Sequence, residues 1–234
     1  MWWTWPRGNT LVAKLYFRYG AMNSGKSTAL LQAAHNYEER GQRVVLLKPR
    51  IDTKGHDSIV SRLGVSRQVD IVIDPADNVV QVVAEYIDSL QAETGEPLAC
   101  VLVDESQFLT PAQVDDLFVV AVQVNIPVLA YGIRTDFQTV AFPGSRRLLE
   151  IAHSVEELKT ICRCGKKAVF NARLADGVFI FDGDQVAIDG VDVTYESLCG
   201  ECYLGESGGR LAAKHHAKEM EPPGPHPDSA NCRG

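Results

Sequence analysis

From Gly20 to Ser27 the chain reads Gly20-Ala21-Met22-Asn23-Ser24-Gly25-Lys26-Ser27: two glycines with four residues between them, then Lys and Ser. This spacing constrains the fold more than any other feature, because it works only where a strand enters and a helix leaves. Both neighbours are legible. Leu15-Tyr16-Phe17 reads as a buried strand, and Lys26 to Arg40 as a helix with Leu30, Leu31, Ala34 and Tyr37 on one face. Gly41 then stands where a left-handed stop is wanted. Glycines let backbone N–H groups turn inward around phosphate oxygens, and the helix N-terminus adds roughly half a positive charge. The pattern predicts a triphosphate-binding loop in which Lys26 reaches the transferring phosphates and the Ser27 hydroxyl holds magnesium. A glycine turn with no ligand is the plainer alternative, and the strand and helix in register weigh against it.

The same alternation continues. Arg43 to Leu47, Cys100 to Val103 and Ile126 to Tyr131 read as buried strands, while Pro75 to Ala92 and a segment capped by Thr110-Pro111 read as helices. Strand and helix in turn predict an α/β fold whose mostly parallel sheet is covered on both faces. After about His153 the character shifts to cysteine pairs, a short strand-like piece from Gly177 to Phe181, and turns at Asp182-Gly183 and Asp189-Gly190. The expected organisation is an N-terminal extension over residues 1–12, a phosphate-loop domain over 13–155, a small metal-binding domain over 156–206 and a disordered tail over 207–234.

A net charge of −7 argues against binding nucleic acid or an anionic membrane broadly, so a polyanion must be held by a local site. No apolar run of about 18 residues is present and the aromatic start lacks a signal-peptide pattern, which makes the cytoplasm the expected setting. Thiols stay reduced there, so Cys162-Arg163-Cys164 and Cys199-Gly200-Glu201-Cys202 read better as four ligands of a structural zinc ion than as disulfides. The small unit has too little apolar sequence for its own core, and metal binding would substitute for burial. Cys100 reads as core packing, Cys232 as part of the tail, and the six histidines as exposed side chains without metal-ligand spacing.

Val101-Leu102-Val103-Asp104-Glu105 places two acids at the carboxyl end of an apolar strand, the edge where open parallel sheets bind ligands. Asp104 is the candidate for magnesium, and Glu105 is then free to accept a proton from a substrate hydroxyl that attacks the γ-phosphate. A guanine-reading Asn/Thr-Lys-x-Asp motif is not found, which disfavours a GTPase.

Taken together, residues 15–31, the run Val101 to Leu109, Tyr131-Gly132-Ile133-Arg134-Thr135-Asp136-Phe137, Phe142-Pro143-Gly144 and the paired cysteines resemble the cytosolic-type thymidine kinases, particularly the bacterial branch, over about Lys14 to Tyr203. The resemblance implies a phosphate-loop domain joined to a zinc-binding lasso domain whose long loop closes over the nucleoside. It implies transfer of the ATP γ-phosphate to the 5′-hydroxyl of thymidine or deoxyuridine, in nucleotide salvage for DNA synthesis. Glu105 matches the catalytic base. Gly20, Ala21, Met22, Asn23, Ser24, Gly25, Lys26 and Ser27 match one ATP-binding segment, and Asp104, Glu105, Ser106 and Gln107 the other. Phe108, Phe137, Phe142 and Tyr195 match aromatics around the thymine, and the strand near Ile188 to Gly190 matches backbone that reads the base edge. Taken alone, those aromatics read more readily as core than as a box for a flat base. The family further implies a homotetramer and feedback inhibition by dTTP. Asp52 and Ser61-Arg62-Leu63-Gly64 are also similar, with Arg62 either facing transferring phosphate or lying at the surface; Lys54 stands where many relatives carry Arg, and Thr139 where Gly is frequent. The competing class is a non-catalytic or regulatory phosphate-loop protein that binds ATP while its zinc unit docks a partner.

Overall fold

A computed structural model describes residues 12–50, 58–60, 64–183 and 193–211. Lys54, Arg62, Ile188, Asp189, Gly190 and Cys232, all singled out by the sequence, lie outside the described residues.

The chain opens with β1 (Leu15–Tyr19), the phosphate loop and α1 (Lys26–Glu38), followed by β2 (Arg43–Pro49). A short antiparallel hairpin of β3 (Ser58–Val60) and β4 (Ser66–Gln68) leads to β5 (Ile71–Ile73), α2 (Val79–Thr94) and β6 (Leu98–Val103). After α3 (Pro111–Val119) and a π-helical turn come β7 (Val128–Gly132), α4 (Pro143–Ile151) and β8 (Ser154–Glu157). The first sheet has six strands in the order β5-β2-β6-β7-β1-β8, and every pairing within it is parallel.

Alternation along the strands explains how both faces become buried. Val45, Leu47, Val101 and Val103 join the cluster under α2, α3 and α4, whereas Val44, Leu46, Cys100 and Leu102 join Leu30, Leu31 and Ala34 of α1 on the other face. Successive side chains of a strand point to opposite faces, so a strand with helices on both sides reads as continuous apolar sequence. Ile59 and Val69, from in and beside the hairpin, complete the α1 side.

Local signals set the helix boundaries. Gly41 has φ +70° just past α1. At α3 the Thr110 hydroxyl accepts from the Gln113 amide at 3.2 Å and the Gln113 carbonyl oxygen accepts from the Thr110 amide at 3.0 Å, with Pro111 in the first turn. The second helix begins later than the sequence pattern predicts, at Val79 rather than Pro75, because the Asn78 side chain accepts from the Gln81 amide at 2.8 Å and fixes the start there.

The small unit holds a two-stranded ribbon of β9 (Thr160–Ile161) and β10 (Lys167–Ala168). Beside it, β11 (Phe170–Ala175) pairs antiparallel with both β12 (Val178–Ile180) and β13 (Val193–Leu198), and α5 (Gly200–Glu206) follows. Its core is small: Ala168, Ala172, Leu198 and Tyr203 around buried Cys162 and Cys199. Ser207, assigned by the sequence to the tail, is buried and donates its hydroxyl proton to the Arg210 carbonyl at 2.8 Å, closing the end of α5.

Candidate active site

Gly20 to Ser27 connect β1 directly to α1 at the carboxyl edge of the sheet. Asn23 and Gly25 take φ of +67° and +78°, the backbone handedness that lets successive N–H groups converge on an anion. Lys26 Nζ donates to the carbonyls of Ala21 at 2.9 Å and Gly20 at 3.4 Å, so the ammonium sits at the rim of the loop. Ser24 Oγ is buried there with no hydrogen-bond partner among the described residues, a donor suited to a phosphate oxygen. A Cβ at Gly20 would lie 2.3 Å from that hydroxyl and 2.5 Å from the Leu158 carbonyl, so only glycine fits the loop entrance.

Two strands away in the sheet, β6 ends in the acid pair. The Asp104 amide donates to the Leu47 carbonyl at 3.0 Å, which holds the residue at the sheet edge. The residue is 5 % exposed, and burial first, then the neighbouring Glu105 charge, pushes its carboxyl from the usual 3.8 up to about 7, against the pull of Lys48 and Lys26. A carboxylate kept in so dry a place, beside two ammonium groups, is suited to a divalent cation. Glu105 has φ +50°, a conformation sparsely populated by non-glycine residues, and starts the short helical turn of Ser106, Gln107 and Phe108.

Gln107 explains why Glu105 is held there. Its carbonyl oxygen accepts from the Ile133 amide at 3.1 Å, which leaves its NH₂ to donate to the Glu105 carboxylate at 2.5 Å. The buried amide thereby presents a donor to one oxygen of Glu105 and holds its carboxyl group in place. Gly132 is required alongside, since a Cβ would meet Ser106 Oγ at 2.7 Å and Gln107 Oε1 at 2.8 Å. Ser106 is fully buried, and its hydroxyl has no hydrogen-bond partner among the described residues.

The expected aromatics fall into two groups. Phe108 and Phe142 meet edge to face, with ring centroids 5.4 Å apart. Phe137 and Tyr195 are joined by Arg173, whose guanidinium lies 3.7 Å from the Phe137 ring centroid and donates to the Tyr195 hydroxyl at 3.2 Å. Phe137 is 1 % exposed and its face is covered by that guanidinium, so it serves as a wall more than as an open stacking surface. Sequence reasoning missed Arg173 and its neighbour Asn171. Their signal is faint: two polar residues at alternate positions of a strand, Asn171 and Arg173, that turn out 3 % and 6 % exposed.

The four thiols converge. Sulfur atoms of Cys162, Cys164, Cys199 and Cys202 all lie within 4.8 Å of one another. The first pair rides the ribbon turn, where the Gly165 amide, at φ +84°, donates to the Cys162 carbonyl at 2.8 Å. The second pair opens α5, with the Cys202 amide donating to Cys199 Sγ at 3.5 Å. Burial pushes the Cys162 thiol up, yet backbone hydrogen bonds from Cys164 and Cys199 outweigh it and bring it down to about 6. Cys202 instead rises to about 12, first through its hydrogen bond with Cys164. Four neighbouring sulfurs cannot all ionise against one another's charge, and a soft dication is what resolves that conflict. The donor set therefore fits zinc.

A family model described as thymidine kinase matches residues 13–203. The chain is 45 % identical to the thymidine kinase of Ruegeria pomeroyi over 207 residues, covering 88 % of this chain and 100 % of that protein. It is 46 % identical to the thymidine kinase of Legionella pneumophila strain Paris over 200 residues, 84 % of this chain and 92 % of that one. The thymidine kinase of Enterobacteria phage T4 is 46 % identical over 192 residues, 80 % of this chain and 94 % of the phage protein.

Proposed function

The chain belongs to the thymidine kinase family and is an enzyme that phosphorylates thymidine, and on that premise we propose that it moves the γ-phosphate of ATP to the nucleoside 5′-hydroxyl with Glu105 as general base. The observation that carries this reading is the Glu105 carboxylate, borne by a residue of unusual backbone conformation and accepting from the Gln107 side-chain amide, at the same sheet edge as the phosphate loop.

In this mechanism the loop amides from Ala21 to Ser27, the Ser24 hydroxyl and Lys26 grip the triphosphate. Asp104 and Ser27 would hold magnesium, which supplies charge neutralisation on the phosphate oxygens. The nucleoside lies against Phe108 and Phe142 on one side and the Phe137, Arg173 and Tyr195 group on the other. The 5′-hydroxyl faces Glu105, which accepts its proton as the oxygen attacks phosphorus. Holding both reactants in line removes most of the entropic barrier, and walls of aromatic side chains keep water from competing. Deoxyuridine, which differs from thymidine by one methyl group, is accepted less discriminately than a nucleoside of different shape, because a methyl is worth only about 1–3 kcal/mol.

The four cysteines would hold zinc, which supplies a cross-link between the ribbon turn and α5. On the same family premise the enzyme works in the cytoplasm as a homotetramer, salvages nucleosides for DNA synthesis and is restrained by dTTP. Among the described residues no helix is long and apolar enough to cross a membrane. A regulatory protein that merely binds ATP is the weaker reading, since it gives no reason for a proton acceptor to be held in place at the phosphate edge.

Glu105→Gln tests the mechanism. Turnover of thymidine with labelled ATP is expected to fall about a thousandfold while ATP affinity stays within about twofold. Undiminished turnover in that variant would remove Glu105 from the reaction.

A further inference from the structure

The side chains of Asn171 and Ser197 stand outside every role described so far, yet they hold the phosphate loop at one residue. The Met22 amide donates to Asn171 Oδ1 at 2.7 Å, and the Met22 carbonyl accepts from the Ser197 hydroxyl. Asn171 and Ser197 face each other directly across β11 and β13, and both are nearly buried, at 3 % and 6 % exposed. The other end of the Asn171 amide donates to the Thr135 carbonyl at 3.0 Å, which fixes which way round the amide lies.

We propose that Asn171 and Ser197 are positioning residues that set the phosphate loop for the nucleotide from the small unit. The reason lies in peptide geometry. In a trans peptide the C=O and the following N–H point in opposite directions. Anchoring the Met22 carbonyl outward on Ser197 therefore turns the Asn23 N–H toward the inside of the loop. Anchoring the Met22 N–H outward on Asn171 likewise turns the Ala21 carbonyl inward, where Lys26 Nζ takes it at 2.9 Å. Two peptide planes are thus oriented by two nearly buried side chains of one strand pair. Thr160 adds a third and longer contact, its hydroxyl lying 3.5 Å from the Asn23 carbonyl. Through Thr135, Asn171 also ties the loop to the segment that carries Phe137.

This inference rests on the reading that the Gly20 to Ser27 loop is the ATP site, and the experiment separates the two. Asn171→Ala, Ser197→Ala and the double variant are compared with wild type for KM of ATP, KM of thymidine, kcat, and ATP affinity by titration calorimetry. Each single variant is expected to weaken ATP binding about fivefold or more, with thymidine KM held within about twofold. Because both act on Met22, the double variant is expected to lose less than the product of the singles. ATP affinity unchanged in both singles, or ATP and thymidine weakened in parallel, overturns the proposal. Ser197→Ala removes a single hydroxyl, so it decides the matter should Asn171→Ala not fold. Lys26→Ala serves as the control on the underlying reading: if that variant binds ATP as wild type does, the loop is not the nucleotide site at all.

Discussion

Two residues carry a conformational or electrostatic penalty that a single substitution can expose. Thr139 has φ +67°, in the left-handed region, where a β-branched side chain is strongly disfavoured. The penalty for such a residue is about 1–2 kcal/mol, and the greater unfolded-state freedom of glycine gives back about 0.5–1 kcal/mol. Thr139→Gly is therefore expected to raise the unfolding temperature by a degree or a few, read by calorimetry; a lower value would show that the Thr side chain contributes more than its backbone costs. Asp104 shows the second penalty. Its folded-state value is raised from 3.8 to about 7, so between those limits the folded protein binds a proton that the unfolded chain has already lost. Stability from this group falls as pH climbs from about 4 to about 7 and stays low above. Ligand-free Asp104→Asn is expected to unfold at a higher temperature than wild type at pH 8, with the gap shrinking toward pH 5. A constant gap across that range would show that burial of the charge is not its origin.

Among the elements, the ones that read well in the sequence are those whose local and tertiary signals agree. Strands β1, β2, β6 and β7 are short apolar runs, α1 and α3 have clear stops or caps, and the phosphate loop follows from its spacing alone. The hairpin of β3 and β4 was not legible, since Ser58–Val60 is too short and mixed to show alternation, and its role depends on Ile59 reaching α1 across the sheet face. Strand β8 was missed for a similar reason: Ser154-Val155-Glu156-Glu157 is polar, and it lies at the edge of the sheet, bonded to β1 on one side only. In the small unit the cysteine pairs were visible but their bearing elements were not, because a ribbon turn and a seven-residue helix take their stability from one another. Removing metal from that knuckle with a strong chelator is expected to lower the unfolding temperature by roughly ten degrees or more and to open the ribbon to protease. About one zinc per chain is expected beforehand by atomic absorption. Full metal loss with an unchanged melting curve would deny it a structural part.

For the molecule as a whole, an acidic chain handles an acidic ligand by concentrating favourable charge and backbone dipoles at one sheet edge, which is why net charge excluded broad polyanion binding without excluding a nucleotide. Glu105 was legible as the acid after Asp104, yet its orientation was not, since that comes from Gln107 and the Ile133 amide, a contact spanning 26 residues. Arg173 was equally hidden, because the rings it joins come from opposite units and nothing near it in sequence announces either. The grip on Met22 by partners 149 and 175 residues downstream has a consequence for inheritance. Because the loop contributes only a main-chain amide and carbonyl at position 22, any residue but proline can stand there, and a chimaera of two relatives is expected to keep this grip wherever the junction falls so long as Asn171 and Ser197 travel together.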